Sequence, residues 1–143
     1  VSNLASATLT RLAALVSAGD LKLVGNAREF GRSLATPPIE KMPAAFVLPY
    51  AETYGRNTLL NGVRQTGPEQ ITIVLMVAVK PAIGADVLDP FQAPRAALFA
   101  RLLGWQPDAD QGAVLAVSGS LLEPRPTHLA YQFVFQRDHT ERA

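Results

Sequence analysis

Apolar and polar positions alternate along this chain in two distinct periods, and the periods change at glycine, proline and asparagine. The densest apolar run is Ile71–Val79, where six of nine residues are β-branched (Ile71, Thr72, Ile73, Val74, Val77 and Val79). Branching at Cβ suits a pleated, packed surface better than a helix. Both alternating faces of the run are apolar, which predicts a central strand with a helix on one side and protein on the other. Lys80-Pro81 should end it, since proline has no N–H for the ladder. At nine residues it is too short to cross a bilayer as a helix, which takes about 20 apolar residues.

Upstream, Leu4, Thr8, Leu9, Leu12, Leu15 and Val16 recur at helical spacing, with Ser2 or Asn3 as cap, Gly19 as stop and Arg11 facing water. Leu21–Val24 reads as a short strand. Asn26–Leu34 reads as a short helix capped by Asn26, with Phe30 and Leu34 on one face. Arg28 and Arg32 fall one turn apart on its other face, where they form either a solvated surface or a contact for an acidic partner. A proline-rich connector, Thr36–Pro43, leads to a strand over Ala44–Tyr50 in which Phe46, Leu48 and Tyr50 share a face. Ala51–Asn61 is the most polar long loop, rich in turn formers. Gly67-Pro68 should bend or bulge the strand that follows.

A second main helix is expected between Asp86 and Leu103, with Asp89 as cap, Pro90 in the first turn and Pro94 forcing either a later start or a kink. Gly104 should end it and Trp105 fold back onto the core. Ala113–Val117 and Leu121-Leu122 read as strand material around a bend at Gly119. In the last strand Leu129, Tyr131, Phe133 and Phe135 alternate with His128, Ala130, Gln132 and Gln136, as in an antiparallel strand with one wetter face. Residues 138–143 read as a flexible charged tail. The sum is one α+β domain over residues 1–143: a small two-layer sandwich, its mixed or antiparallel sheet of about five strands packed by two main helices.

Composition narrows the function. The apolar fraction of 48% and charged fraction of 17% are those of a globular chain. A net charge of +1 gives no electrostatic reason to expect nucleic acid or an anionic membrane as partner. There is no cysteine, so disulfides, thiolate metal sites and a cysteine nucleophile are all excluded. The N-terminal stretch has no basic region ahead of an unbroken apolar run, so no signal peptide is expected.

Chemical motifs are weak. No nucleophile elbow, zinc-protease helix, phosphate loop or dinucleotide fingerprint is present. His128 is the one histidine in a patterned element, and a lone strand histidine is more often structural than a general base. His139 falls in the charged tail. Asp108 and Asp110 resemble part of a calcium loop but lack its later carboxylate, so they read as loop solubility. Ser118 and Ser120 read as a turn. Tyr50, Tyr54 and Arg56 could stack bases, yet Tyr50 fits the core alternation and the charge balance gives no support. The residues describe a non-enzymatic domain, with no metal site.

One resemblance adds to this reading. Pro43–Glu52, the polar loop and Gly62–Gln65 leading into Ile71–Val79 resemble the tail terminator proteins of tailed bacteriophages. So do Ala96–Trp105 with the following Gln106-Pro-Asp, and the closing strand Leu129–Arg137. The resemblance implies a virion subunit, assembled in the bacterial cytoplasm, that forms a ring, usually of six copies. That ring caps the tail tube, stops its growth and offers its other face to the head connector, with no cofactor or catalysis. On that basis Glu52, Tyr54, Arg56, Asn57, Arg64 and Gln65 are expected to contact a neighbouring subunit or the tube, with Arg28 and Arg32 as a second group. Another neck, head-completion or tailocin protein is the first alternative, and a small cytoplasmic enzyme or ligand-binding domain the second.

Overall fold

The computed structural model describes residues 3–79 and 89–142. Its elements follow the expected order: α1 (Leu4–Ala18), β1 (Leu23–Gly25), α2 (Ala27–Ala35), β2 (Ala44–Glu52), β3 (Arg64–Ala78), α3 (Asp89–Leu102), β4 (Leu115–Leu121) and β5 (His128–Arg142). A single 3-10 turn, Ile39–Lys41, interrupts the proline-rich connector. The five strands form one mixed sheet in the order β1-β2-β3-β5-β4. Only β1 and β2 are parallel, and the remaining pairs are antiparallel. The apolar run at Ile71 lies in β3, at the centre of that order.

Strand alternation builds two cores. Ala45, Val47, Ile73, Leu75, Phe133 and Phe135 point to one face, where Leu12 and Leu15 of α1 and Leu98 and Leu102 of α3 cover them. Ala44, Phe46, Val74, Met76 and Ala130 point to the other, where Met42 and the half-buried Phe30 of α2 cover one end of the sheet. That second, partial cover explains why β3 is apolar on both sides. Gly25 permits it: a Cβ there would lie 2.8 Å from the Phe46 ring.

The caps fall where the residues suggest. The Asn3 side chain accepts the Ser6 N–H, and Gly19 closes α1 at φ 86°. Asn26 and Glu29 form a reciprocal capping box on α2. Trp105 packs back against the main core. Pro94 lies inside α3, and the expected segment before Asp89, like Lys80-Pro81, lies outside the described residues.

Several expectations change. Residues 138–142 are strand rather than tail: β5 pairs with β3 without a break from Ala78↔His128 to Arg64↔Arg142. The bulge is not at Gly67-Pro68, which stays in register with β5, but in β2 between Pro49 and Ala51, across from Ile71 and Gln70. Tyr50 is the extra residue there and is 61% exposed, so it leaves the core alternation. Strand β4 is continuous through Gly119, with its irregularity between Ala116 and Ser118. Leu34 is 67% exposed; Ser33 takes the buried position on α2 and donates to the Phe30 carbonyl at 2.6 Å. Arg11 is not simply wet: its Nε donates to the Arg101 carbonyl at 2.6 Å and its guanidinium lies over the Trp105 ring.

Candidate assembly surface

The helix-covered core reaches to about Ile71 in β3 and Phe135 in β5, which pair with each other. Beyond that point seven residues of each strand, 64–70 and 136–142, run out as an arm roughly 23 Å long. The chain after β2 lies along it as a third strand: Thr53, Gly55 and Thr58 donate to the carbonyls of Pro68, Thr66 and Arg64. Gly67 is required by this approach, because a Cβ there would sit 1.8 Å from the Thr53 carbonyl oxygen. On the opposite edge the Gln111 amide substitutes for a strand, with its Oε1 accepting from Thr140 N–H at 2.6 Å and Gly112 N–H donating to Asp138.

The arm is anchored by charge. Arg137 is 1% exposed, and its guanidinium reaches Glu69 at 3.0 Å and Asp108 at 2.7 Å. The second Glu69 oxygen accepts Leu4 N–H at 3.1 Å, so the first turn of α1 closes on the same carboxylate. Nothing in the sequence singles out this link between residues 68 apart, and Asp108 is an anchor rather than merely a solubilising loop residue. His139 lies beside it, 3% exposed, with Nδ1 donating to the Gly67 carbonyl at 2.8 Å and its ring edge-to-face with Tyr54.

All six arm candidates gather on this extension. Glu52, Tyr54, Arg56, Asn57 and Arg64 are exposed, and Gln65 is partly buried. Their roles differ. Asn57 shapes the tip: its Oδ1 accepts from Arg64 N–H at 2.8 Å and Leu59 N–H at 3.2 Å, while Nδ2 donates to Gly62. Gln65 donates to the Gly55 carbonyl across the arm. Tyr54 donates to the Glu52 carboxylate; that bond raises the phenol above its ordinary 10.0, with slight desolvation and the Glu52, Glu141 and Glu69 charges adding to it. Arg56 projects with no polar partner among the described residues. Arg28 and Arg32 are exposed on α2, at the other end of the sheet, and the structure does not bring them to the arm.

The tip also carries an apolar group that the emphasis on polar residues overlooks. Leu60 is 104% exposed, with Leu59 and Val63 beside it at 41% and 37%. The adjacent Leu59-Leu60 inside a polar loop was the available signal.

The histidines do not converge on a reaction centre. His128 and His139 stand eleven residues apart on β5, roughly 36 Å along the strand. Burial, and then the Arg125 charge, lower the His128 pKa from its ordinary 6.5. Among the described residues there is no cluster of three or more His, Cys, Asp or Glu able to hold a metal ion, and no helix is long and apolar enough to cross a membrane.

A long anchored arm on a small α+β body, with its polar groups turned outward, is a geometry for contact. The family model described as phage tail terminator protein matches residues 4–143. The chain belongs to the phage tail terminator family. Family membership makes it a virion component with a structural part in a phage tail, among other virion proteins. Among solved structures, a chain of the virion of a native gene transfer agent particle has the same fold, with a TM-score of 0.57 at 15% identity, over 96% of this chain and 95% of that one. No curated protein matches.

Proposed function

We propose that this chain forms a ring, of six subunits as the family resemblance implies, that caps the tail tube, stops its polymerisation and presents a surface for joining the head. The observation that carries the reading is the family match over residues 4–143, nearly the whole chain. The arm supports it physically. A ring subunit needs two different patches that repeat until rotation closes, and a rigid projection anchored to the core supplies one of them. Glu52, Tyr54, Arg56, Arg64 and Gln65 make its polar contacts with a neighbouring subunit or the tube, and Asn57 holds its shape. The role is structural, without catalysis or cofactor.

The test is electron microscopy of particles from a phage in which this gene is stopped early. Abnormally long tubes without heads are the expected result. Tails of normal length already joined to heads would sink the reading, and normal tails left unjoined would assign the chain to neck completion instead.

A further inference from the structure

The sheet ends at an open edge. Strand β4 is the last of the five, paired with β5 on one side only, and all seven of its residues are exposed. Edge strands are ordinarily blunted by charge, proline or a covering segment. Leu115–Leu121 has no charged residue and no proline, and Leu115, Val117 and Leu121 are 56%, 48% and 43% exposed. The Leu122 N–H donates to the Ala130 carbonyl, so Ser118 and Ser120, in the same phase, turn their backbone groups toward β5. Gly119 and Leu121 turn theirs outward, where they offer hydrogen bonds to an extended chain.

A notch of about 310 Å³ opens beside this edge, between β4 and α3. Gly119 leaves room for it, since a Cβ there would lie 3.0 Å from the Tyr131 ring and 3.1 Å from the Phe133 ring. Phe99 and Arg95 of α3 line the other side, with the guanidinium 4.1 Å from the centre of the Phe99 ring. Arg95 is exposed and makes no ion pair among the described residues. Among those residues it is also the only charged group lining the notch, whose remaining walls are Ala116, Val117 and Ser118. Its charge is therefore uncompensated, and the site favours a carboxylate, which the guanidinium fork can hold with two parallel bonds.

We propose that β4 receives an extended segment of another virion protein, which pairs with the open edge, places an apolar side chain in the notch and sets an Asp or Glu on Arg95. Main-chain bonds at Gly119 and Leu121 supply affinity, while the notch and the guanidinium supply selectivity. A second copy of this chain does not meet the requirement. The strands at its sheet edges, 23–25 and 115–121, and the arm segment 53–58 contain no carboxylate, and the arm segment would bring Arg56 toward Arg95. The inference goes beyond the ring reading: it gives the body of the subunit, rather than its arm, a face for a different partner.

The test is photo-cross-linking in particles assembled in the host. Val117 and, separately, Leu121, both exposed on either side of Gly119, are replaced by a benzophenone-bearing residue. The particles are irradiated and the cross-linked peptides identified by mass spectrometry. The expected product from both positions is a link to one segment of another virion protein, with an Asp or Glu beside the linked residue. Adding Arg95→Gln should lower its yield about tenfold, while thermal melting of the purified variant stays near wild type. Links between copies of this chain, links to nucleic acid or to a segment without a carboxylate, or a yield that Arg95→Gln leaves unchanged would each overturn the docking and leave the ring reading standing. So would the absence of any link when the chain is present in the particles. Absence of the chain from wild-type particles would sink both readings.

Discussion

The Arg137 guanidinium holds the Glu69 carboxylate at 3.0 Å in the interior, across the β3–β5 ladder. Nε and Nη2 both reach Glu69 Oε1, Oε2 accepts the first backbone N–H of α1, and Nη1 reaches Asp108. One buried cation therefore ties together helix α1, the two central strands and the loop after α3. The position is the root of the arm, where the helical cover ends and the strands continue outward. A force on the tip is transmitted through this junction to the core rather than absorbed by a loose loop.

Removing Arg137 should be costly. Arg137→Met leaves the Glu69 and Asp108 carboxylates without the cation that compensates them, and breaking one side of a buried pair costs about 3–5 kcal/mol. Urea unfolding of the purified chain checks this. A double substitution, Arg137→Met with Glu69→Leu, should cost less than the sum of the two single changes, because contacting residues couple.

Gly67→Ala tests how tightly the third strand of the arm is laid down. The added methyl meets the Thr53 carbonyl at 1.8 Å, so either the segment from Thr53 to Thr58 moves away or β3 shifts. Overpacking of this kind costs about 1–3 kcal/mol. Amide exchange should reveal where: Thr53, Gly55 and Thr58 lose protection, whereas the Ile73 and Leu75 amides keep it. Uniform loss of protection would mean that the arm and body unfold as one unit.

What could be read from the sequence follows from the range of the interactions involved. The order of helices and strands was legible because it rests on local periodicity, and Asn3, Gly19 and the Asn26–Glu29 box act within a few residues of themselves. The strand character of 138–142 was not. His139, Glu141 and Arg142 look like a solvated tail, and only pairing with Arg64–Gly67, more than seventy residues earlier, makes them strand. Sequence separation also hid the burial of Arg137, whose partners Glu69 and Asp108 come from two other parts of the chain. Of the candidate surface, the polar loop was visible as composition. Its division into a shaping residue, Asn57, and an outward one, Arg56, depends on the turn geometry.

Stability should depend on pH through His128. Burial lowers its pKa below 6.5, so the folded protein favours the neutral ring. As pH falls below that value the unfolded chain binds a proton that the folded chain resists, and stability declines with falling pH. The stabilisation is therefore full above the unfolded pKa and lost as pH falls through the lowered folded value. Unfolding midpoints of wild type and His128→Gln, compared between about pH 5 and about pH 8, should show a shallower acid decline in the variant. Parallel curves would remove His128 as the cause.

Arg56 and Asn57 are neighbours in sequence whose substitutions should differ in the isolated chain and agree in assembly. The Arg56 side chain is exposed and has no polar partner among the described residues, so Arg56→Glu should leave monomer stability within about 0.5 kcal/mol of wild type. If the arm makes assembly contacts, reversing that charge should nevertheless reduce the fraction of capped, head-joined tails. Asn57→Ala removes the acceptor for Arg64 and Leu59 N–H and the donor to Gly62, so it should loosen the tip before any partner is met. Amide exchange at 59–64 on the isolated chain should rise for Asn57→Ala and stay unchanged for Arg56→Glu, with tail completion reduced in both. Normal tails with Arg56→Glu would remove that guanidinium from the contact, and normal tails with both variants would remove the arm tip from the interface altogether.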